Sequence, residues 1–162
     1  MISWIEGETL DIWVQGTRVG IVLVSNRVGF EIQVLPRQMN NINLKSKISL
    51  WIQPIKRDDN DILIGFKYKE ERDLFRQLIS VTGIGSQVGV ALLQEYQVDE
   101  LTKAIIDSDF KKLSKAVGVG KRTAERLSVE LKKKLYLDSV KAKQYKEEEQ
   151  EIPDIKQNTD TE

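Results

Sequence analysis

The sequence has no cysteine and no histidine among its 162 residues. The first absence excludes disulfides, thiolate zinc sites and iron–sulfur ligation. The second excludes imidazole acid–base catalysis and histidine metal sites. No apolar run approaches the roughly 18 residues that a membrane-spanning helix needs. The opening stretch, MISWIEGETLDIW, has neither the basic nor the apolar region of a signal peptide. No charge of one sign dominates either, since 25 Lys and Arg balance 25 Asp and Glu. What is present, 40% apolar and 31% charged residues, is ordinary for a globular chain of one or two small domains. A cytosolic protein that needs no cofactor and no membrane is the simplest expectation.

The zero net charge conceals a division. Residues 1–66 hold seven cations against seven acids, residues 67–136 hold 14 against 10, and residues 137–162 hold 4 against 8. The central part is therefore the candidate anion binder, and the acidic end would repel the same ligand.

Residues 1–66 read as strands. DIWVQ, RVGIVLV, VGFEIQVL, KISLWIQPI and DILIGF are short, β-branched and partly alternating, with turn signals between them. With Ile2–Gly7 included, about six strands are expected, in a small closed or nearly closed antiparallel barrel of the OB type. From Lys69 the period becomes helical, with Leu74, Phe75, Leu78 and Ile79 on one face. Further helices are expected near 86–96, 98–107, 109–117 and 122–136. The end, KAKQYKEEEQEIPDIKQNTDTE, has few apolar residues and reads as disordered, or as a frayed continuation of the last helix. The fold class expected is α+β in several parts: an OB-fold-like barrel (1–66), an all-α tandem helical domain (67–136) and a flexible acidic tail (137–162).

A repeat lies inside the helical part. LISVTGIGSQVGVALL (78–93) aligns with LSKAVGVGKRTAERLS (113–128) at a constant offset of 35 residues. Gly83, Gly85 and Gly89 fall on Gly118, Gly120 and Ala124. One G-x-G is weak evidence of anything, but two in register between helical segments carry weight. The pattern is that of a tandem helix-hairpin-helix. Glycine supplies the positive φ of a tight turn and lets backbone approach a ligand. The helix start that follows offers unpaired N–H groups to a phosphate. The candidate DNA-binding residues are Gly83, Ile84, Gly85, Ser86 and Gln87 in the first copy. In the second they are Gly118, Val119, Gly120, Lys121, Arg122 and Thr123. Such contacts grip the sugar-phosphate chain without reading bases. No residue is assigned a catalytic or metal-binding role.

Other readings stay open at this point. Both turns could be plain helix C-caps, which explains the glycines but not the shared register. GVGKRT lacks the spacing and the preceding strand of a nucleotide P-loop. A DNA glycosylase would need a catalytic lysine where Arg122 stands, and its aspartate would be Asp138. A general helix-hairpin-helix DNA-binding module and a protein-only adaptor are the non-enzymatic rivals. The acidic stretch KRDDND (56–61) reads first as a polar hairpin tip. On a DNA-binding protein its acids would push phosphates apart.

EERDLFRQLISVTGIGSQVGVALL, GVGKRTAERLSVELKKKL, RDDNDILIGF and RVGFEIQV together resemble segments of the RuvA family of bacterial Holliday-junction-binding proteins, over roughly residues 1–136. The resemblance implies a non-catalytic DNA-binding subunit whose two hairpins hold the arms of a four-way junction. It makes Asp58 and Asp59 the acidic pin at the junction centre. It implies a homotetramer or octamer built on the barrel, a RuvB-type AAA+ motor driving branch migration with ATP, and a RuvC-type resolvase, in recombination and DNA repair. Trp4 and Glu6 stand where the family often has arginines, and Gln87 stands where it often has lysine. The family normally ends in a small three-helix domain that contacts the motor, whereas residues 137–162 offer nothing to bury such a core. The expectation is a truncated chain or one whose motor contact has degenerated.

Overall fold

The computed structural model describes residues 1–150, with side chains described through Lys146. Five strands, β1 (Trp4–Gln15), β2 (Arg18–Ser25), β3 (Val28–Val34), β4 (Lys47–Ile55) and β5 (Ile62–Phe66), close into a barrel in the order β1-β2-β3-β5-β4. A 3-10 turn, Pro36–Asn41, links β3 to β4. Five helices follow: α1 (Lys69–Ser80), α2 (Ser86–Glu95), α3 (Val98–Ile106), α4 (Phe110–Leu113) and α5 (Lys121–Gln150). This is the OB-like barrel and all-α domain expected from the sequence.

Three strand and helix expectations are corrected. Ile2–Gly7 and DIWVQ are not two strands but parts of the single β1. Gly7 does not break the strand, because its missing side chain serves a close approach: a methyl group there would overlap the Val24 backbone. Instead Leu10 bulges between Thr9, paired with Leu23, and Asp11, paired with Val22. The bend lets the first half of β1 pair with β4 and the second half with β2. Nor is the barrel wholly antiparallel, since β3 and β5 run parallel. Parity requires this, because a ring of five strands cannot alternate direction at every neighbour. The helix expected over 109–117 is the single turn α4, capped by the Asp109 carboxylate on the Lys112 N–H at 3.0 Å.

The two-residue turn Asn26-Arg27 has φ of 50° and 66°, the left-handed pair that matches strand twist in a hairpin. Helix α3 ends in a Schellman motif without glycine. Ser108 takes φ 54°, the Asp109 N–H reaches Ala104 O at 2.9 Å, and the Ser108 N–H reaches Ile105 O at 3.2 Å.

Ile21, Leu23, Ile32, Val34 and Ile52 fill the barrel. Leu35, Ile64 and Phe66 belong instead to the helical core, with Leu74, Phe75, Leu78, Leu92, Leu101 and Leu127. The Phe66 and Phe75 rings lie 5.0 Å apart. A polar clamp reinforces this joint. Glu71, 3% exposed, accepts from Arg37 at 2.6 Å and Gln38 at 2.9 Å, while the Arg37 N–H donates to Gln94 at 2.9 Å. Arg72 lies over the Trp51 ring at 4.8 Å and donates to Ser3 O at 3.2 Å. Barrel and helices are thus joined through both core and buried hydrogen bonds.

Helix α5 runs through residue 136 without interruption, as the continuation that the sequence allowed as the alternative to disorder. Leu131 and Leu135 are its last buried residues among those whose side chains are described. Residues 151–162 of the acidic tail lie outside the described residues.

Candidate nucleic-acid interface

The 35-residue repeat is a repeat of geometry. Gly83 and Gly118 take φ of 87° and 81°, a region that L side chains reach only with strain. The hydrogen bonds match in pairs. Val81 N–H to Leu78 O (3.2 Å) matches Ala116 to Leu113 (3.3 Å). Ile84 to Val81 (3.0 Å) matches Val119 to Ala116 (3.1 Å), and Gly89 to Gly85 (3.1 Å) matches Ala124 to Gly120 (3.0 Å).

Within each G-x-G the three residues divide the work. The first glycine turns the chain. The middle residue is a peg: Ile84 and Val119 are 6% and 5% exposed and bind the hairpin to the core. Both can offer a ligand backbone only. The second glycine caps the following helix, and a methyl group at Gly85 or Gly120 would meet nothing within 4 Å. Open space therefore lies in front of both helix starts, where first-turn N–H groups have no intrahelical partner. At Gly89 the missing side chain has another use, since a methyl group there would stand 2.8 Å from the Phe75 ring.

The charged residues are distributed unequally. Lys121 and Arg122 are exposed at the start of α5, and Thr123 is half-buried behind them. In the first hairpin Ser86 is half-buried. The Gln87 carboxamide exchanges hydrogen bonds with the buried Gln33 of β3, at 3.0 and 3.2 Å. Gln87 thus ties α2 to the barrel. The first hairpin receives a cation from the second repeat instead. Arg126 donates to Thr82 O at 2.8 Å, and a groove of about 510 Å3 between them is lined by Gly83, Ile84, Arg122 and Arg126. Sequence reading missed Arg126, although it stands one helical turn after Arg122 and so shares its face.

The spacing of the two hairpins is held by the helices between them. The Tyr96 hydroxyl, at the end of α2, donates to Lys112 O on α4 at 2.5 Å. Burial pushes the phenol above its ordinary value, with the nearby Glu95 charge adding to it. Lys112 lies over the Tyr96 ring and reaches Glu100 at 2.7 Å, a hydrogen bond that raises its own pKa. On α1, burial alone would push Asp73 upward. Hydrogen bonds from Lys69 and Arg72 outweigh it, and the carboxyl sits below its ordinary value.

Asp58 and Asp59 stand exposed on the β4–β5 loop of the barrel, where Asp59 lines a cleft with Arg57, Asn60 and Asp61. No described helix is long and apolar enough to cross a membrane.

A family model described as a SAM-like helix-hairpin-helix tandem matches residues 75–133, which contain both hairpins. Over 136 residues, 83% of its length, the chain is 48% identical to the Holliday junction branch migration complex subunit RuvA of Prochlorococcus marinus strain MIT 9313, covering 60% of that protein. It is 49% identical over 135 residues to the subunit of the same name from Synechococcus sp. strain CC9311, covering 62%. Over the matched residues the chain is similar to these RuvA subunits. It spans about three-fifths of the length of these RuvA relatives. The RuvA match takes in barrel and hairpins together, so the acidic loop and both G-x-G turns lie in the shared part.

Proposed function

We propose that the chain binds four-way DNA junctions through phosphate-backbone contacts at its two hairpins, as a non-catalytic subunit of a branch-migration machine in recombination and DNA repair. The observation that carries this is the pair of G-x-G turns with matching φ and hydrogen bonds, each opening onto unpaired helix-start N–H groups, with Lys121, Arg122 and Arg126 nearby. Two anion sites packed on one shared core suit a backbone that recurs at fixed intervals.

In this reading Asp58 and Asp59 form the acidic pin. Exposed carboxylates near a crossover repel the phosphates there and hold the strands apart. One chain supplies one such loop and two hairpins, so four copies around a four-fold axis would match the four arms of a junction. A homotetramer, or two tetramers enclosing the DNA, is the proposed assembly. The force for migration would come from a RuvB-type ATP-hydrolysing partner, and cleavage from a RuvC-type resolvase, in the cytoplasm.

Competition binding at physiological salt tests this reading, with a four-way junction set against linear duplex of the same sequence and length. Junction preference of about 100-fold, equal to about 2.7 kcal/mol, is expected. Equal affinity for the two would overturn junction recognition and reduce the chain to a general backbone binder.

A further inference from the structure

The outer face of the barrel carries a cleft of about 650 Å3 that neither hairpin uses. Its walls come from Gln15 at the end of β1, Arg18 at the start of β2, Glu31 and Gln33 of β3, the β4–β5 loop, and Ile62 and Leu63 of β5. Of these, the β3 face and the β4–β5 loop belong to the surface on which OB-type barrels bind oligonucleotides or oligosaccharides. Trp13 lines the cleft. Alternation sends Ile12 toward the barrel core and Trp13 outward. Trp13 is in register with Gly20 of β2, and a methyl group at Gly20 would overlap the indole. The bare backbone of Gly20 thus lets the ring lie across the strand. The indole Nε1 is buried and has no acceptor among the described residues, a cost that a ligand oxygen or nitrogen would remove.

The charges in the cleft select the ligand. Glu31, Asp59 and Asp61 outnumber Arg18 and Arg57 there, so a phosphate is disfavoured. A planar uncharged group with polar edges is not. An indole surface whose buried N–H lacks an acceptor, the Asn60 carboxamide and the Gln15 amide, whose oxygen accepts from Arg18, match the face and edge of a nucleobase outside a duplex. We propose that this cleft is a site for an unpaired nucleobase, with Trp13 as its stacking platform and the carboxylates turning the phosphate outward. The supply of such bases rests on the junction reading above: the loop that would part the strands, residues 57–61, is also a wall of the cleft.

The test uses the full chain with Trp4→Phe and Trp51→Phe, so that Trp13 alone fluoresces. The probes are an oligothymidylate of about eight nucleotides, within the site size of one such barrel, and an abasic oligonucleotide of equal length. The oligothymidylate should quench Trp13 and the abasic chain should not. Trp13→Ala in the otherwise natural chain should weaken oligothymidylate binding about 5- to 150-fold and leave linear-duplex affinity within about twofold. Trp13→Phe, which keeps an aromatic face, should retain most of the binding. Equal quenching by the abasic chain, or no quenching at all, overturns the proposal and requires no destabilising variant. So does an equal loss on single strand and duplex for Trp13→Ala. Junction competition reads out separately. Lost junction preference with intact base-dependent quenching overturns only the proposed function, and the converse overturns only this inference.

Discussion

Gly118 and Gly120 are two residues apart, yet substitution should affect them in opposite ways. Gly118 sits at φ 81°, and a methyl group there would stand 3.6 Å from Val88 Cγ2, an ordinary contact. Gly118→Ala therefore costs backbone strain without a clash. That strain is about 1–2 kcal/mol, offset by about 0.4–1 kcal/mol because alanine also stiffens the unfolded chain. The net loss, between about 0 and about 1.6 kcal/mol, should lower Tm by up to about 6 °C in a chain of this size. Gly120 instead caps α5 and faces open space. Gly120→Asp should hold or raise Tm, since Asp is a preferred N-cap and its charge suits the helix dipole by about 0.3–1 kcal/mol. Its carboxylate would occupy the N–H groups proposed for a phosphate. Losing charge-assisted bonds worth about 1.5–3 kcal/mol should weaken duplex binding about 10- to 150-fold. Thermal unfolding followed by circular dichroism and duplex titration at one salt concentration separate the two effects. A raised Tm for Gly118→Ala would refute the strain argument. Native DNA affinity for Gly120→Asp would refute an anion site at the second hairpin.

Lys121→Ala with Arg122→Ala should weaken binding to every DNA form and reduce the slope of log affinity against log salt by about 1.8 on duplex, measured by titration across salt concentrations. Glu71→Ala would leave Arg37 and Gln38 without their shared acceptor at the barrel–helix joint, and urea unfolding should register a loss of about 3 kcal/mol. Stability should fall at both pH extremes. Asp73 has a lowered folded pKa, so its contribution is present above its ordinary value and disappears as pH drops through the folded one. Tyr96 has a raised folded pKa, so its contribution holds below its ordinary value of 10.0 and disappears as pH rises through the folded one. Asp73→Asn should flatten the acid limb of a Tm–pH profile, and Tyr96→Phe the alkaline limb.

The hairpins were legible in the sequence because their requirements are local. A positive φ, a buried peg and a helix cap fall within five residues, and the 35-residue offset repeats them in the same order. The strands were legible by alternation, and the helices by their period. Even so, Gly7 read as the end of a strand, since a glycine demanded by a turn and one demanded by a neighbouring backbone are the same letter. Arg126 went unnoticed because its partner, Thr82 O, is 44 residues away.

By itself, then, the sequence determined the elements: a run of short strands, two glycine hairpins, cations at the start of α5 and an acidic loop. These depend on period, φ preference and charge order, which act over a few residues. Tertiary structure alone decided that β3 and β5 run parallel, because barrel closure imposes parity on the ring. It alone engaged Gln87 with Gln33 across 54 residues, set Arg126 beside the first hairpin and laid Trp13 over Gly20. Those pairings depend on how elements pack, and local spacing carries no record of distances between residues far apart in the chain.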